Sequence, residues 1–174
     1  MAYPRFFAVF LFLWLAFVSS AGATDPANFR FADTAGKTYQ LSDLKGKWVL
    51  VNFWAPWCPL CWIEIPELNQ IQAGRNDIVI IGIAMDYRSE DSVQYLMQKH
   101  KIGFPVVMGG KSNDPNSPIK QIGPVPFYPT SYLYAPNGQM VMTKTGTIDR
   151  DLIENFIFKY NADKLPEPAE PVVN

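Results

Sequence analysis

Trp48-Val49-Leu50-Val51-Asn52-Phe53-Trp54-Ala55-Pro56-Trp57-Cys58-Pro59-Leu60-Cys61 runs from an apolar, β-rich segment directly into a pair of cysteines three positions apart. Residues 48–54 alternate too little for a half-exposed strand, so they read as a central strand covered on both faces. A helix must then begin near Cys58. Pro59 suits its first turn, where the missing N–H would have no partner in any case. Ile65, Leu68 and Ile71 recur at helical spacing, and the pattern ends around Gly74.

Outward from this stretch the same alternation continues. Ile78–Met85 is a second near-continuous apolar strand, and Ser89 to Lys99 reads as a helix with Ser89 as N-cap and Val93, Leu96 and Met97 on its inner face. Strand, helix, strand, helix predicts a parallel βαβ core. Upstream, Phe29 and Phe31, the turn residues Asp33-Thr34-Ala35-Gly36, then Tyr39 and Leu41 predict a short hairpin joined to the core by a compact polar link, Ser42 to Lys47. Downstream, Gly109 to Pro129 is rich in Gly, Pro, Ser and Asn and reads as loop, with at most a helical turn near Ile119 to Ile122. Ser131–Tyr134 and Gln139–Thr143 flank an Asn137-Gly138 hairpin signal. Asp149 to Tyr160 is a last amphipathic helix with Asp149 as a possible cap.

The chain has 174 residues. Arg5 precedes an uninterrupted apolar run from Phe6 to Val18, followed by Ser19, Ser20 and the small residues Ala21-Gly22-Ala23, which reads as a secretory signal cleaved before Thr24. The competing reading is a retained membrane anchor over residues 6–24, because nothing between Arg5 and Asp25 is charged. Both place the rest of the chain in an oxidising extracytoplasmic or periplasmic space. No Cys lies near the cleavage site, which argues against a lipid-modified terminus. Residues 24–162 then form one domain of ordinary size, and residues 163–174, with Pro166, Pro168 and Pro171, form a flexible Pro/Glu-rich tail. The whole chain has 15 Lys and Arg against 16 Asp and Glu, a balance that argues against nucleic-acid binding. Two Cys and one His are too few for a closed structural zinc site or a disulfide-knotted scaffold.

Reactive potential is concentrated in Cys58 and Cys61. At a helix start both sulfurs lie on one side of the first turn and can close a disulfide with little backbone movement. Free N–H groups and the helix dipole favour the thiolate of Cys58, lowering its pKa below the ~8.5 of an ordinary thiol. Cys58 is therefore the expected attacker, and Cys61, one turn deeper, the buried resolving thiol. Two other readings stand beside this one. A purely structural disulfide would more commonly join distant segments, since its effect on the unfolded chain grows with loop length. A two-Cys copper site has no evident third ligand, because the single His100 follows an exposed helix end and reads as solvated.

The run from Val51 to Cys61, followed by Glu64-Ile65-Pro66-Glu67-Leu68, resembles the TlpA/ResA-like branch of the thioredoxin superfamily. The similarity spans residues 28–160 in element order and is strongest around the dithiol. It implies a thioredoxin fold of the α/β class, a central mixed β-sheet flanked by helices, here with an N-terminal β-hairpin extension. It also implies an extracytoplasmic thiol-disulfide oxidoreductase that acts as a reductant without a cofactor or metal. Tyr128-Pro129-Thr130 matches the family's cis-proline segment, which implies that Tyr128 and Pro129 face the dithiol and receive an extended substrate. Trp57, rather than Trp54, is expected to shape the rim for that substrate, since an aromatic at a strand end more often packs.

One departure carries information. Cytosolic thioredoxins place a buried Asp six residues before the first Cys, and this chain has Asn52 there. Asn cannot take a proton, and the nearest candidate is Glu64, which matches an acid characteristic of this branch. A carboxylate beneath the dithiol would have a raised pKa and could accept the proton of Cys61; the alternatives are an exposed helix residue or a buried hydrogen-bonding strut. Pro66 is expected to kink the helix. Leu60 cannot stabilise the Cys58 thiolate as a His at that position would, which tilts the reading toward a reductase. The resemblance supplies as partners disulfide-containing client proteins, with apocytochrome c, methionine sulfoxide reductase and general periplasmic disulfides as three options. It also supplies a membrane thiol electron donor, while contact with the membrane itself would run only through an uncleaved N-terminal segment.

Overall fold

A computed structural model of the chain describes residues 28–163; the leader and most of the tail lie outside the described residues. The predicted hairpin is present as β1 (Arg30–Ala32) and β2 (Thr38–Gln40), paired antiparallel with Phe31 opposite Tyr39. A 3-10 turn at Leu41–Leu44 overlaps the start of the expected polar link, Ser42 to Lys47, and buried Leu41 anchors it. The central strand β3 (Trp48–Trp54) follows, buried along its whole length. It pairs parallel with β4 (Ile78–Ala84) and antiparallel with β6 (Thr130–Tyr134). Outside these lie β5 (Val106–Met108), parallel to β4, and β7 (Met140–Thr145), antiparallel to β6, in the order β5-β4-β3-β6-β7. This is the mixed five-stranded sheet of a thioredoxin-like fold with an added N-terminal hairpin.

The period of two along β3 decides what lies on each face. Val49, Val51 and Phe53 join Phe29, Phe31, Tyr39, Ile81, Ile83, Tyr132 and Tyr134 in the core beneath the hairpin. Trp48, Leu50 and Trp54 face the other way, into a core shared by α1 (Pro59–Gly74), α2 (Glu90–Lys99) and α4 (Arg150–Ala162). Leu68 and Ile153 are fully buried there, and each such side chain contributes about 1.5–3 kcal/mol by leaving water. Asn52 occupies the same parity as Leu50 and Trp54, so it too points toward α1.

The caps follow the expected chemistry. Ser89 Oγ accepts from the Ser92 N–H, and Asp149 Oδ1 accepts from the Leu152 N–H. A four-residue helix α3 (Ile119–Ile122) is the only regular element of the loop between Gly109 and Pro129.

Two features differ from the sequence expectation. Strand β5 is absent from it, because three residues after Pro105 are too short to show alternation; β4 supplies the pairing that makes them a strand. His100 caps α2 and is exposed, but it is not free in solvent: its ring stacks on Trp62 with centroids 4.2 Å apart.

Candidate redox site

Strand β3 ends at Trp54, and Ala55 and Pro56 carry the chain to the start of α1 at the C-terminal edge of the parallel strands, where ligand sites of open α/β sheets lie. Cys58 is the N-cap of α1 and Pro59 its first residue. Cys58 and Cys61 are joined in a disulfide with Cα atoms 5.4 Å apart. Cys58 Sγ accepts the Cys61 backbone N–H over 3.1 Å, so the sulfur takes the part that a Ser or Asp oxygen plays at an ordinary helix start. Cys58 is 3% exposed and Cys61 fully buried, so both sulfurs are buried in the oxidised form.

Glu64 lies on the next turn and is buried. Its Oε2 accepts from Asn52 Nδ2 at 2.8 Å and its Oε1 from the Ile148 N–H at 2.9 Å. Burial pushes its pKa up to about 7, against the opposing pull of the Ile148 and Asn52 donors. Asn52 Nδ2 also donates to Ser131 Oγ at 2.9 Å, while Asn52 Oδ1 has no partner. Glu64 is therefore not an exposed helix residue. It ties α1 to β3 and to the segment before α4, and at neutral pH it is poised between its charged and neutral forms. Ser131 and Ile148 did not stand out in the sequence, since only the folded sheet brings them to Glu64. Pro66 lies inside α1, where the ladder lacks its N–H.

Trp57 projects from the rim with 63% of its surface exposed, whereas Trp54 is buried and packs edge-on against Trp62. The Tyr128–Pro129 peptide is cis. Tyr128 meets Trp57 edge to face with centroids 5.6 Å apart, so the proline segment stands beside the residue preceding Cys58. The Pro129 carbonyl is already engaged by the Gly146 N–H at 2.8 Å. Leu60 and Ile63 are exposed on α1 and Phe127 on the proline segment.

Sequence reading missed Asp86. Its Oδ2 accepts from Tyr128 Oη at 2.8 Å, its Oδ1 from the Ser112 N–H at 2.9 Å, and its carbonyl from Trp57 Nε1 at 3.3 Å. The available signal was position alone, a carboxylate just past the end of an apolar strand beside the dithiol. Among the described residues no group of three or more His, Cys, Asp or Glu is placed to hold a metal ion, and no helix is long and apolar enough to cross a membrane.

Residues 23–141 match the AhpC/TSA family. The thiol-disulfide oxidoreductase ResA of Bacillus subtilis (strain 168) is 34% identical over 140 residues, covering 80% of this chain and 75% of that protein. ResA of Bacillus thuringiensis subsp. konkukian is 31% identical over 135 residues, covering 76% of this chain and 74% of its own length. Among solved structures, a thiol:disulfide interchange protein of the thioredoxin family from Chlorobium tepidum superposes with a TM-score of 0.64 at 27% identity, covering 76% of this chain and 92% of that one.

Proposed function

The chain belongs to the AhpC/TSA family and is a ResA-like thiol-disulfide oxidoreductase, and from that premise we propose that it reduces disulfides of client proteins outside the cytoplasm. The observation that carries the reductase direction is Leu60, half exposed between the sulfurs and unable to stabilise a Cys58 thiolate; the bond from the Cys61 N–H to Cys58 Sγ at the start of α1 marks Cys58 as the attacking sulfur. In the reduced protein the same donor and the helix dipole favour a thiolate on Cys58, the outer sulfur.

The Cys58 thiolate attacks one sulfur of a client disulfide and displaces the other as a thiolate, forming a mixed disulfide. Trp57, Tyr128 and Pro129 form the wall along which the client segment lies. Cys61 then attacks Cys58 Sγ, releases the second client thiolate and closes the Cys58–Cys61 bond. Two electrons pass to the client, and Glu64 takes the proton that Cys61 gives up, a role suited to a carboxyl with a pKa of about 7. No cofactor enters this cycle. Re-reduction requires a thiol donor, which for an exported or anchored protein belongs to the membrane. The client classes are apocytochrome c, methionine sulfoxide reductase and general extracytoplasmic disulfides, and the N-terminal segment serves as export signal or anchor.

The test is the equilibrium reduction potential of Cys58/Cys61 in the full-length protein, titrated in redox buffers with a thiol-labelling readout. A value at or below about −220 mV is expected, and one near about −120 mV would make the protein a dithiol oxidase instead. A Cys61→Ala variant should trap clients as mixed disulfides with Cys58, and capture of none would count against the scheme.

A further inference from the structure

Asp86 lies two residues beyond the end of β4 and is, with Lys101, one of two non-glycine positions with positive φ among the described residues, at φ 50°. Asp is among the few residue types that adopt this left-handed backbone readily. From there its hydrogen bonds fan out to three separate segments. The carboxylate takes the Tyr128 hydroxyl and the Ser112 N–H, and the main chain takes the Trp57 indole N–H and gives its own N–H to the Gly110 carbonyl at 2.7 Å. Tyr128 precedes the cis proline, and Trp57 precedes Cys58. Both rings therefore lean on one residue as well as on each other.

The proton and charge are placed to make the Tyr128 bond a strong one. Burial pushes the Asp86 carboxyl up, but hydrogen bonds from Ser112 and Tyr128 and the nearby Lys111 charge hold it below the ordinary carboxylate range. Burial, and then the bond to the Asp86 charge, push the Tyr128 phenol up. At neutral pH the phenol donates to a full carboxylate, a charge-assisted bond. Trp57, by contrast, is mostly exposed and would otherwise be free to rotate in solvent.

We infer that Asp86 is a positioning residue for client recognition, holding the Trp57 and Tyr128 rings as a preformed wall beside Cys58. This deepens the disulfide-reductase reading and rests on it. A wall set in advance spares the client the cost of ordering two aromatic side chains on binding. None of the Asp86 hydrogen bonds goes to a sulfur, so its effect falls on binding of a protein disulfide more than on exchange at Cys58.

The experiment compares wild type, Asp86→Ala, Asp86→Asn and Tyr128→Phe in full-length protein, with insulin as the protein disulfide and dithiothreitol as donor. Asp86→Ala is expected to raise KM about tenfold with kcat changed less than about twofold. Tyr128→Phe, which removes only the hydroxyl, raises KM in the same direction. Asp86→Asn recovers part of the loss, since its Oδ1 still accepts from the Ser112 N–H, its Nδ2 can donate to Tyr128 Oη in place of the charge-assisted bond, and Asn tolerates the left-handed backbone. The Asp86 carbonyl that accepts from Trp57 remains in every variant, so the assigned Trp57 indole N–H resonance shifts in Asp86→Ala because the Tyr128 ring and the left-handed turn lose their anchor, and it returns toward wild type in Asp86→Asn. A loss confined to kcat, an Asn variant as impaired as the Ala variant, or an unmoved Trp57 resonance would overturn the positioning role. A wild-type protein that does not reduce insulin would instead sink the reductase reading, while the Trp57 resonance still decides whether Asp86 sets the wall.

Discussion

Asn52 Nδ2 donates to Glu64 Oε2 over 2.8 Å, so a buried amide–carboxylate bond joins the strand leading into the cysteines to the helix that carries them. The bond holds Glu64 in a place where its charge is poorly solvated. Glu64 has a folded pKa of about 7 against 4.5 in the ordinary state, so the fold binds an extra proton between those values. Its contribution is fully favourable below pH 4.5 and is lost as pH rises through 7, amounting to about 3 kcal/mol across that window. Urea unfolding of the oxidised protein should show wild type losing stability relative to Glu64→Gln as pH rises from 4 to 8. Parallel curves for the two proteins would mean that Glu64 does not titrate in this range.

Replacing Asn52 by Asp would set a second buried carboxylate against the first. Two such groups cannot both ionise cheaply, so Asn52→Asp should cost about 2–4 kcal/mol at pH 8 and clearly less at pH 5. Adding Glu64→Gln should recover most of the loss, because the Gln amide can donate to the new carboxylate. The double-mutant cycle measures this coupling, and simple additivity would show that the two side chains do not interact.

The core and the dithiol were legible because their signals are local. β3 and β4 announce themselves as unbroken apolar runs, and Cys58, Pro59 and Cys61 mark the start of α1 by spacing alone. The cis peptide before Pro129 could be expected only through family resemblance, because Tyr128-Pro129 by itself reads as an ordinary loop. What stayed hidden was long-range. β5 exists because β4 pairs with it, and the Glu64 partner at Ile148 is 84 residues away. Asp86 meets Tyr128 across 42 residues, a relationship that only the closed sheet creates.

Gly109 bears on the same rim through packing. A Cβ built there would meet the Ala84 carbonyl oxygen at 2.9 Å and Ile83 Cγ2 at 2.7 Å, with Met85 Sδ crowding it as well. The Ala84 backbone is fixed in β4, so the loop itself must move, and Gly110 carries the carbonyl that receives the Asp86 N–H. Gly109→Ala should cost about 2 kcal/mol and lower the thermal midpoint by roughly 4–8 °C. A calorimetric midpoint within about 1 °C of wild type would show that the loop relaxes freely.

Leu60 is half exposed on the first turn of α1, between the two sulfurs. It offers the Cys58 thiolate neither charge nor a hydrogen bond, so the reduced form has only the helix terminus to stabilise it. A His at this position would add a donor and, when protonated, a positive charge beside the thiolate. Leu60→His should therefore stabilise the dithiol relative to the disulfide and raise the reduction potential by about 30–60 mV, where 30 mV corresponds to about 1.4 kcal/mol. The rise should be larger at pH 6 than at pH 8, because the imidazole is charged more of the time. Redox-buffer titrations of both proteins at the two pH values check this. An unchanged potential would mean that residue 60 does not set the direction of electron flow, and the argument from Leu60 for a reductase would fall.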